Sequence, residues 1–167
     1  MTLRLILTRH AKSDWDNPLD SDHSRPLSAR GQGAAPRIGR WLADKGYIPQ
    51  QALVSDATRT RQTWQCIAEM LPNAPEAAFD RYLYLAGPEV LLARLRHATA
   101  PSVMLIGHNP GIAEFAARLL PNPMPHPGFA GFPTCATLVA EFDHAAWTEI
   151  EFGTARGVDF IVPRELD

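Results

Sequence analysis

Near its beginning the chain reads Leu3-Arg4-Leu5-Ile6-Leu7-Thr8-Arg9-His10, an apolar run that ends in an arginine and a histidine. A short apolar run of this kind predicts a buried β-strand. Two later runs end in a similar way. Ser102–Gly107 is followed by His108, and Ala52–Ser55 is followed a few residues later by Arg59. We therefore predict three buried strands with basic side chains beyond their carboxyl ends.

Helical patterns separate these strands. Apolar residues recur with helical spacing over Ser28–Lys45 and Arg59–Leu71, and Pro88 opens a further helix. Another helix is predicted after the third strand, with Asn109 as its N-cap and Pro110 as its first residue. Strands that alternate with helices indicate an α/β fold of three layers, in which a largely parallel central sheet lies between helices.

The last third of the chain has a different pattern. The segment 121–133 holds five prolines and two glycines, so it predicts a loop rather than a regular element. Alternating apolar residues predict a hairpin formed by Thr137–Phe142 and Thr148–Phe152. Phe160–Val162 predicts a last short strand.

Length and composition bound the class of protein. The 167 residues predict one domain over 1–167, and 46% hydrophobic with 20% charged residues is typical of a globular protein. A formal net charge of -2 argues against a dedicated nucleic-acid binder. Cys66 and Cys135 form no metal-binding or redox pair, so we expect buried free thiols in a reducing compartment. With no signal or membrane-span pattern, we expect a cytoplasmic protein without a membrane partner.

The three basic strand ends point to one site. Ligands of open α/β sheets bind beyond the carboxyl ends of the strands, so Arg9-His10, Ser55–Arg59 and Gly107-His108 are expected to converge. Helix N-termini after residues 58 and 109 would add a preference for an anion. Two imidazoles and two guanidiniums suit a phosphoryl group, because an imidazole can attack phosphorus while the cations hold the oxygens.

The same residues resemble a known family. The chain is similar to the histidine phosphatase superfamily, with its phosphoglycerate-mutase-like fold, and most closely to the short SixA-like branch of phosphohistidine phosphatases. The resemblance spans nearly the whole chain. Its motifs are Arg9-His10, the set Ser55, Arg59, Gln62 and Thr63, the run Gly107-His108-Asn109-Pro110-Gly111, the segment Asp22-His23-Ser24-Arg25-Pro26-Leu27, and Leu83-Tyr84-Leu85-Ala86.

The resemblance implies a role for each matching residue. His10 is the expected nucleophile, and Arg9, Arg59 and His108 are expected to stabilise the phosphoryl oxygens in the transition state. One ring nitrogen of His10 must be unprotonated for attack, so the other is expected to donate to a backbone carbonyl. The expected substrate-binding residues are Arg25, Ser55 and Asn109, although Arg25 could instead pair with Asp22. The resemblance implies no cofactor and no metal ligand, because arginines supply the positive charge.

The sequence leaves the general acid and the substrate open. Asp14, Asp80 and Glu89 are the candidate acids, and none stands in a distinctive motif. A phosphohistidine substrate needs less acid catalysis than a phosphate ester, which favours phosphohistidine on a signalling protein as the partner. A small-molecule phosphomonoesterase acting on a sugar phosphate or nucleotide is the alternative enzyme. A phosphate-binding module without turnover is the non-enzyme alternative.

Overall fold

The computed structural model describes residues 2–167, and a six-stranded sheet runs through their centre. Its strands are Leu3–Arg9 (β1), Gln51–Ser55 (β2), Ala77–Asp80 (β3), Ser102–Gly107 (β4), Thr137–Phe142 (β5) and Arg156–Ile161 (β6). The α-helices of this part of the chain are Ala29–Lys45 (α1), Thr58–Ala68 (α2), Pro88–Leu95 (α3) and Gly111–Leu119 (α4). None of them is long and apolar enough to cross a membrane.

The strand order is β3-β2-β4-β1-β5-β6. The first four strands in this order are parallel to one another, whereas β5 and β6 are antiparallel to their neighbours. This confirms the predicted α/β fold with a largely parallel sheet. Because Arg9 of β1 lies opposite Gly107 of β4, His10 and His108 leave the sheet side by side.

Side chains of the central strands alternate between two cores. On β1, Leu5 and Leu7 point to the face covered by α3 and α4, whereas Ile6 points to the face covered by α1 and α2. All three side chains are fully buried. This alternation is the period-two pattern of a strand buried on both faces, and it holds the sheet between two helical layers.

Helix α1 begins and ends as predicted. The Ser28 hydroxyl caps its first turn by accepting from the backbone N–H of Gly31. Gly46 ends the helix with a φ of 74°, a left-handed conformation that glycine adopts without a steric penalty. The Ser28 N–H and hydroxyl both donate to the carbonyl of Lys12, at 2.9 and 3.1 Å. These bonds tie the loop after β1 to the start of α1.

Two predicted helix boundaries need correction. Helix α2 ends at Ala68 rather than Leu71. The α-helical hydrogen bonds give way there to a 3-10 type bond, in which the N–H of Leu71 donates to the carbonyl of Ala68. Helix α4 begins at Gly111, and Pro110 rather than Asn109 stands at its N-cap position. The Asn109 side chain still accepts from the N–H of Ala113 at 3.2 Å, so Asn109 caps the helix from the residue before the N-cap position.

The predicted hairpin was wrong in its second strand. Strand β5 pairs with β1 on one side and with β6 on the other, whereas the segment 148–152 contains part of a 3-10 turn, Trp147–Glu149. Trp147 and Ile150 are both buried in the core, and the indole N–H of Trp147 donates to the carbonyl of Ala100 at 2.7 Å. Anchoring these two side chains in the core takes this segment away from the sheet.

The two cysteines are unpaired. Cys135 is fully buried, and burial raises the pKa of its thiol to about 12. Cys66 is only half-buried.

Candidate active site

A cleft of about 220 Å³ lies at the carboxyl ends of β1, β2 and β4. This is where an open α/β sheet is expected to bind a ligand. The strand ends and the loop after β1 bring six of the seven predicted site residues to its walls: Arg9, His10, Arg25, Arg59, His108 and Asn109.

His10 has the ring orientation that nucleophilic attack requires. Its Nδ1 lies 2.7 Å from the backbone carbonyl of Ala11, so Nδ1–H donates and the lone pair is left on Nε2. Burial lowers the pKa of the imidazole to about 3, against the opposing effect of the Ala11 hydrogen bond, and Arg59 and Arg9 lower it further. The ring is therefore neutral at pH 7 and can attack an electrophile.

Arg59 and Arg25 converge on one carboxylate. Arg59 is buried at the start of α2 and donates to the backbone carbonyl of Asp22 at 2.6 Å and to its Oδ2 at 3.1 Å. Arg25 is also buried and donates to Oδ1 of Asp22 at 2.9 Å and to the Ser13 hydroxyl at 2.5 Å. Arg25 thus both lines the cleft and pairs with Asp22, the two arrangements that the sequence left open.

Asp22 stays ionised in this setting. The hydroxyl of Tyr84 donates to its Oδ2, and that bond is the largest cause that holds the pKa of the carboxyl well below its usual range. Hydrogen bonds from Arg25 and Arg59 lower the pKa further, against the effect of partial burial. A carboxylate with so low a pKa cannot donate a proton at neutral pH.

Arg9 and Asn109 connect the cleft to the proline-rich loop. Arg9 donates to the carbonyl of Phe132 at 3.2 Å, and Asn109 donates to the same carbonyl at 3.1 Å and to that of Gly131 at 3.0 Å. The loop is irregular in its backbone, as predicted, but these bonds hold its last residues against the site.

Ser55 needs a correction, because its side chain does not line the cleft. It is fully buried behind His108, with its hydroxyl 2.7 Å from His108 Nε2. Burial lowers the pKa of His108 to about 3, and the neighbouring His10 and Arg59 lower it further. If the serine hydroxyl donates to Nε2, the proton of the neutral ring is on Nδ1. Ser55 therefore orients His108 rather than touching a substrate.

Three buried nitrogen atoms around the cleft have no hydrogen-bond partner among residues 2–167: Nε of Arg9, Nε of Arg59 and Nδ1 of His108. A buried donor without an acceptor costs about 1–3 kcal/mol. The side chains that carry these atoms line one cleft, and their guanidinium and imidazole groups suit a ligand rich in acceptor oxygens. A tetrahedral oxyanion has this chemistry, and the surrounding guanidiniums match its charge.

Comparison with known families agrees with this geometry. Residues 5–80, which include His10 and Arg59, match the model of the histidine phosphatase superfamily (branch 1). An uncharacterized protein of Mycobacterium tuberculosis is 31% identical over 163 residues, which cover 93% of this chain and 99% of the relative. The chain belongs to the histidine phosphatase superfamily. Membership supports phosphatase activity.

Two further relatives show how far the similarity to known superfamily proteins extends. An uncharacterized chloroplastic protein of Arabidopsis thaliana is 34% identical over 127 residues, which are 70% of this chain but only 58% of that protein. Among solved structures, a protein assigned as phosphohistidine phosphatase SixA of Agrobacterium tumefaciens has a TM-score of 0.79 and 28% identity. The match covers 96% of this chain and 98% of that one. The SixA-like resemblance of this histidine phosphatase is therefore confirmed.

None of the three candidate acids of this histidine phosphatase lines the cleft. Asp80 accepts from the N–H of Tyr82 and pairs with Arg94, and Glu89 pairs with Arg118 at the surface. Asp14 accepts from the N–H of Asp16 in the loop after β1. Within residues 2–167, no group of His, Cys, Asp or Glu side chains could hold a metal ion.

The sequence missed several residues of the cleft. Lys12, Trp15, Leu85 and Thr134 line it, and Trp15 stacks on Arg25, with the guanidinium carbon 3.3 Å from the ring centroid. Lys12 and Trp15 closely follow His10 in the chain, and Leu85 belongs to the motif Leu83-Tyr84-Leu85-Ala86, to which the resemblance assigned no role. Thr134 reaches the site through the fold alone.

Proposed function

We propose that this protein is a phosphohistidine phosphatase that works through a covalent phosphohistidine intermediate on His10, with a phosphorylated protein as its substrate. The observation that carries the proposal is the free lone pair on Nε2 of a neutral His10, placed in one cleft with Arg9, Arg59 and His108. A nucleophile and a set of anion-binding donors are the two requirements of phosphoryl transfer.

In the first step, Nε2 of His10 attacks phosphorus in line with the bond that breaks. Arg9, Arg25, Arg59 and Nδ1–H of His108 stabilise the charge on the equatorial oxygens. The P–N bond of the substrate breaks, and the departing imidazole takes a proton from solvent. In the second step, water attacks the phosphorylated His10, the Nε2–P bond breaks and orthophosphate leaves. These arginines provide the positive charge that a metal ion provides in other phosphatases, so we infer that the reaction is metal-independent.

Two observations support a phosphohistidine rather than a phosphate ester. The carboxylate in the cleft, Asp22, is held ionised and cannot protonate a poor leaving group. A histidine leaving group needs little help, because its nitrogen is readily protonated. The rim is also open, since Trp15 and Leu85 remain 68% and 56% exposed, and a histidine carried on a protein surface can approach it.

The test compares turnover of a phosphohistidine protein, sugar phosphates and nucleotides by the wild type and by site variants. We expect wild-type turnover to be highest with the phosphohistidine protein. Arg59→Ala and Arg9→Ala are expected to lower kcat/KM at least ~100-fold, because each removes a transition-state donor. His10→Ala is expected to abolish turnover and the acid-labile label that rapid quench detects on the His10 peptide.

His97→Ala is the matched control, because His97 is an exposed histidine outside the cleft. It is expected to keep both turnover and label. Substantial turnover by a folded His10→Ala variant, or label on His108, would contradict the assigned roles. Highest turnover with a sugar phosphate or nucleotide would favour the small-molecule phosphomonoesterase instead.

A further inference from the structure

A second cleft adjoins the catalytic one. It has a volume of about 230 Å³ and lies between α1 and the 3-10 turn Pro163–Leu166. Lys12 and Thr134 line both clefts, so the two are neighbours on the protein surface. A molecule bound at His10 that extends past Lys12 and Thr134 would enter the second cleft.

The second cleft is strongly cationic, although the whole chain carries a formal charge of -2. Its basic residues are Lys12, Arg30, Arg37 and Arg164, and the one acidic residue among its described lining residues is Asp167, which pairs with Arg37. Within residues 2–167, no carboxylate pairs with the other three cations at salt-bridge distance. Cations gathered along the walls of a cleft focus the electrostatic field and attract anions.

The fold fixes the backbone of Lys12 between the clefts. Its carbonyl accepts two bonds from Ser28, and the start of α1 approaches so closely that a Cβ on Gly31 would lie 2.1 Å from that oxygen. Only glycine permits this contact. The backbone of Lys12 is thus set by α1, the helix that also carries Arg30 and Arg37.

Two arginines of α1 stand at positions where their local surroundings disfavour them. Arg30 lies in the first helical turn, where the helix dipole disfavours a cation, and that turn contains no acidic residue. Arg37 lies two turns further along the same helix face, and its Nε is buried without a hydrogen-bond partner among the described residues. Residues that go against local preference mark functional positions more often than others.

We propose that the second cleft binds a second anionic group of the substrate, a carboxylate or a phosphate carried beside the phosphoryl group that His10 attacks. This inference rests on the proposed phosphatase function and adds a requirement to its substrate. Arg30, Arg37 and Arg164 hold the second group through charge-assisted hydrogen bonds, and Lys12 lies between the two anions.

The experiment measures kcat/KM for two pairs of substrates at low ionic strength. One pair consists of phosphohistidine peptides that carry either two glutamates or two glutamines beside the phosphohistidine. The other pair is an alkane bisphosphate and the corresponding monophosphate. Wild type is expected to prefer the more anionic member of at least one pair by ~10-fold or more, the effect of a charge-assisted hydrogen bond. The pair that shows the preference identifies the source of the second anion.

The preference is then measured in variants. We expect Arg30→Gln with Arg37→Gln to reduce it to less than about threefold, the loss of one to two charge-assisted bonds. Arg164→Gln, which leaves α1 intact, is expected to reduce it as well and guards against misfolding of the double variant. The matched control is Arg40→Gln, which removes the same charge from an exposed position on α1 outside this cleft. It is expected to keep the wild-type preference.

Absence of any preference in wild type, or an unchanged preference in both cleft variants, would overturn the second site. Failure of the proposed function gives a different result. In that case the wild type hydrolyses neither phosphohistidine peptide, while the alkane pair still reports on the cleft. A larger loss of the preference in the cleft variants than in Arg40→Gln supports a local site. An equal loss in the control and the cleft variants contradicts the site and indicates a general effect of surface charge.

Discussion

At the residue scale, Asp22 places a negative charge inside a cleft that we propose binds a negatively charged phosphoryl group. The carboxylate holds Arg25 and Arg59 in place, since each donates to one of its oxygens. The same charge repels a phosphate dianion bound in the cleft. Asp22 therefore aligns two cations and also weakens their attraction for substrate and for the orthophosphate product, which favours product release.

We expect Asp22→Asn to strengthen inhibition by orthophosphate. The amide keeps an acceptor oxygen for one arginine and removes the repulsive charge, which corresponds to ~1 kcal/mol, or an inhibition constant about fivefold lower. The inhibition constant of orthophosphate is measured at pH 7 with an aryl phosphate as the substrate. Asp16→Asn, an exposed aspartate in the same loop, is the control and is expected to leave inhibition unchanged. Weaker inhibition in Asp22→Asn would mean that alignment of the arginines outweighs repulsion.

At the scale of elements, the contact between the β1–α1 loop and the start of α1 shapes both clefts. Gly31 and Gly33 lie in the first turns of the same helix and differ in their surroundings. A Cβ on Gly31 would overlap the carbonyl of Lys12, whereas a Cβ on Gly33 would have no neighbour within 4 Å. This difference makes the two glycines a matched pair for testing the contact.

Gly31→Ala is expected to lower the free energy of unfolding by about 1–3 kcal/mol, because the backbone must move to relieve the overlap. It is also expected to lower kcat/KM, since the displaced loop carries residues of the catalytic cleft. Gly33→Ala is expected to raise the free energy of unfolding by up to ~1 kcal/mol through helix propensity, with no change in activity. Urea unfolding and steady-state kinetics measure both effects. Equal stabilities of the two variants would show that the contact is not rigid.

At the scale of the whole molecule, two buried imidazoles make stability depend on pH. The pKa values of His10 and His108 are lowered from 6.5 to about 3 in the folded protein, mainly by burial. Below pH 6.5 the unfolded chain therefore binds protons that the folded protein does not bind until pH is near 3. The free energy of unfolding then falls as pH falls through this window.

We expect each imidazole to cost about 2 kcal/mol of stability at pH 5 relative to neutral pH. Urea unfolding of wild type at pH 7 and pH 5 measures the total loss. His10→Asn is expected to show a smaller loss over the same interval, because one of the two groups no longer titrates. His97→Asn, with an exposed histidine, is expected to match the wild type. An equal loss in all three proteins would mean that other groups cause the pH dependence.

Local sequence patterns were enough to predict the strands β1, β2, β4 and β5, the four helices between them, and the strand ends where Arg9-His10 and Gly107-His108 stand. Apolar runs and helical spacing depend on neighbours in the chain, and parallel strands in an α/β fold bring their carboxyl ends to one edge. The resemblance to histidine phosphatases drew on the same local motifs. For this reason the fold class and the strand-end residues could be predicted without coordinates.

Packing between distant segments decided the rest. The pairing of β5 with β6 rather than with the segment 148–152 accompanies the burial of Trp147 in the core. The position of Ser55 behind His108 depended on how β2 lies against β4. Asp22 acquired its role only when Arg59 of α2 and Tyr84 came to lie beside the loop that carries it. The second cleft likewise joins Lys12, the outer face of α1 and the turn at Pro163–Leu166, which lie far apart in the chain. Such arrangements follow from the packing of side chains in three dimensions, which no local sequence pattern encodes.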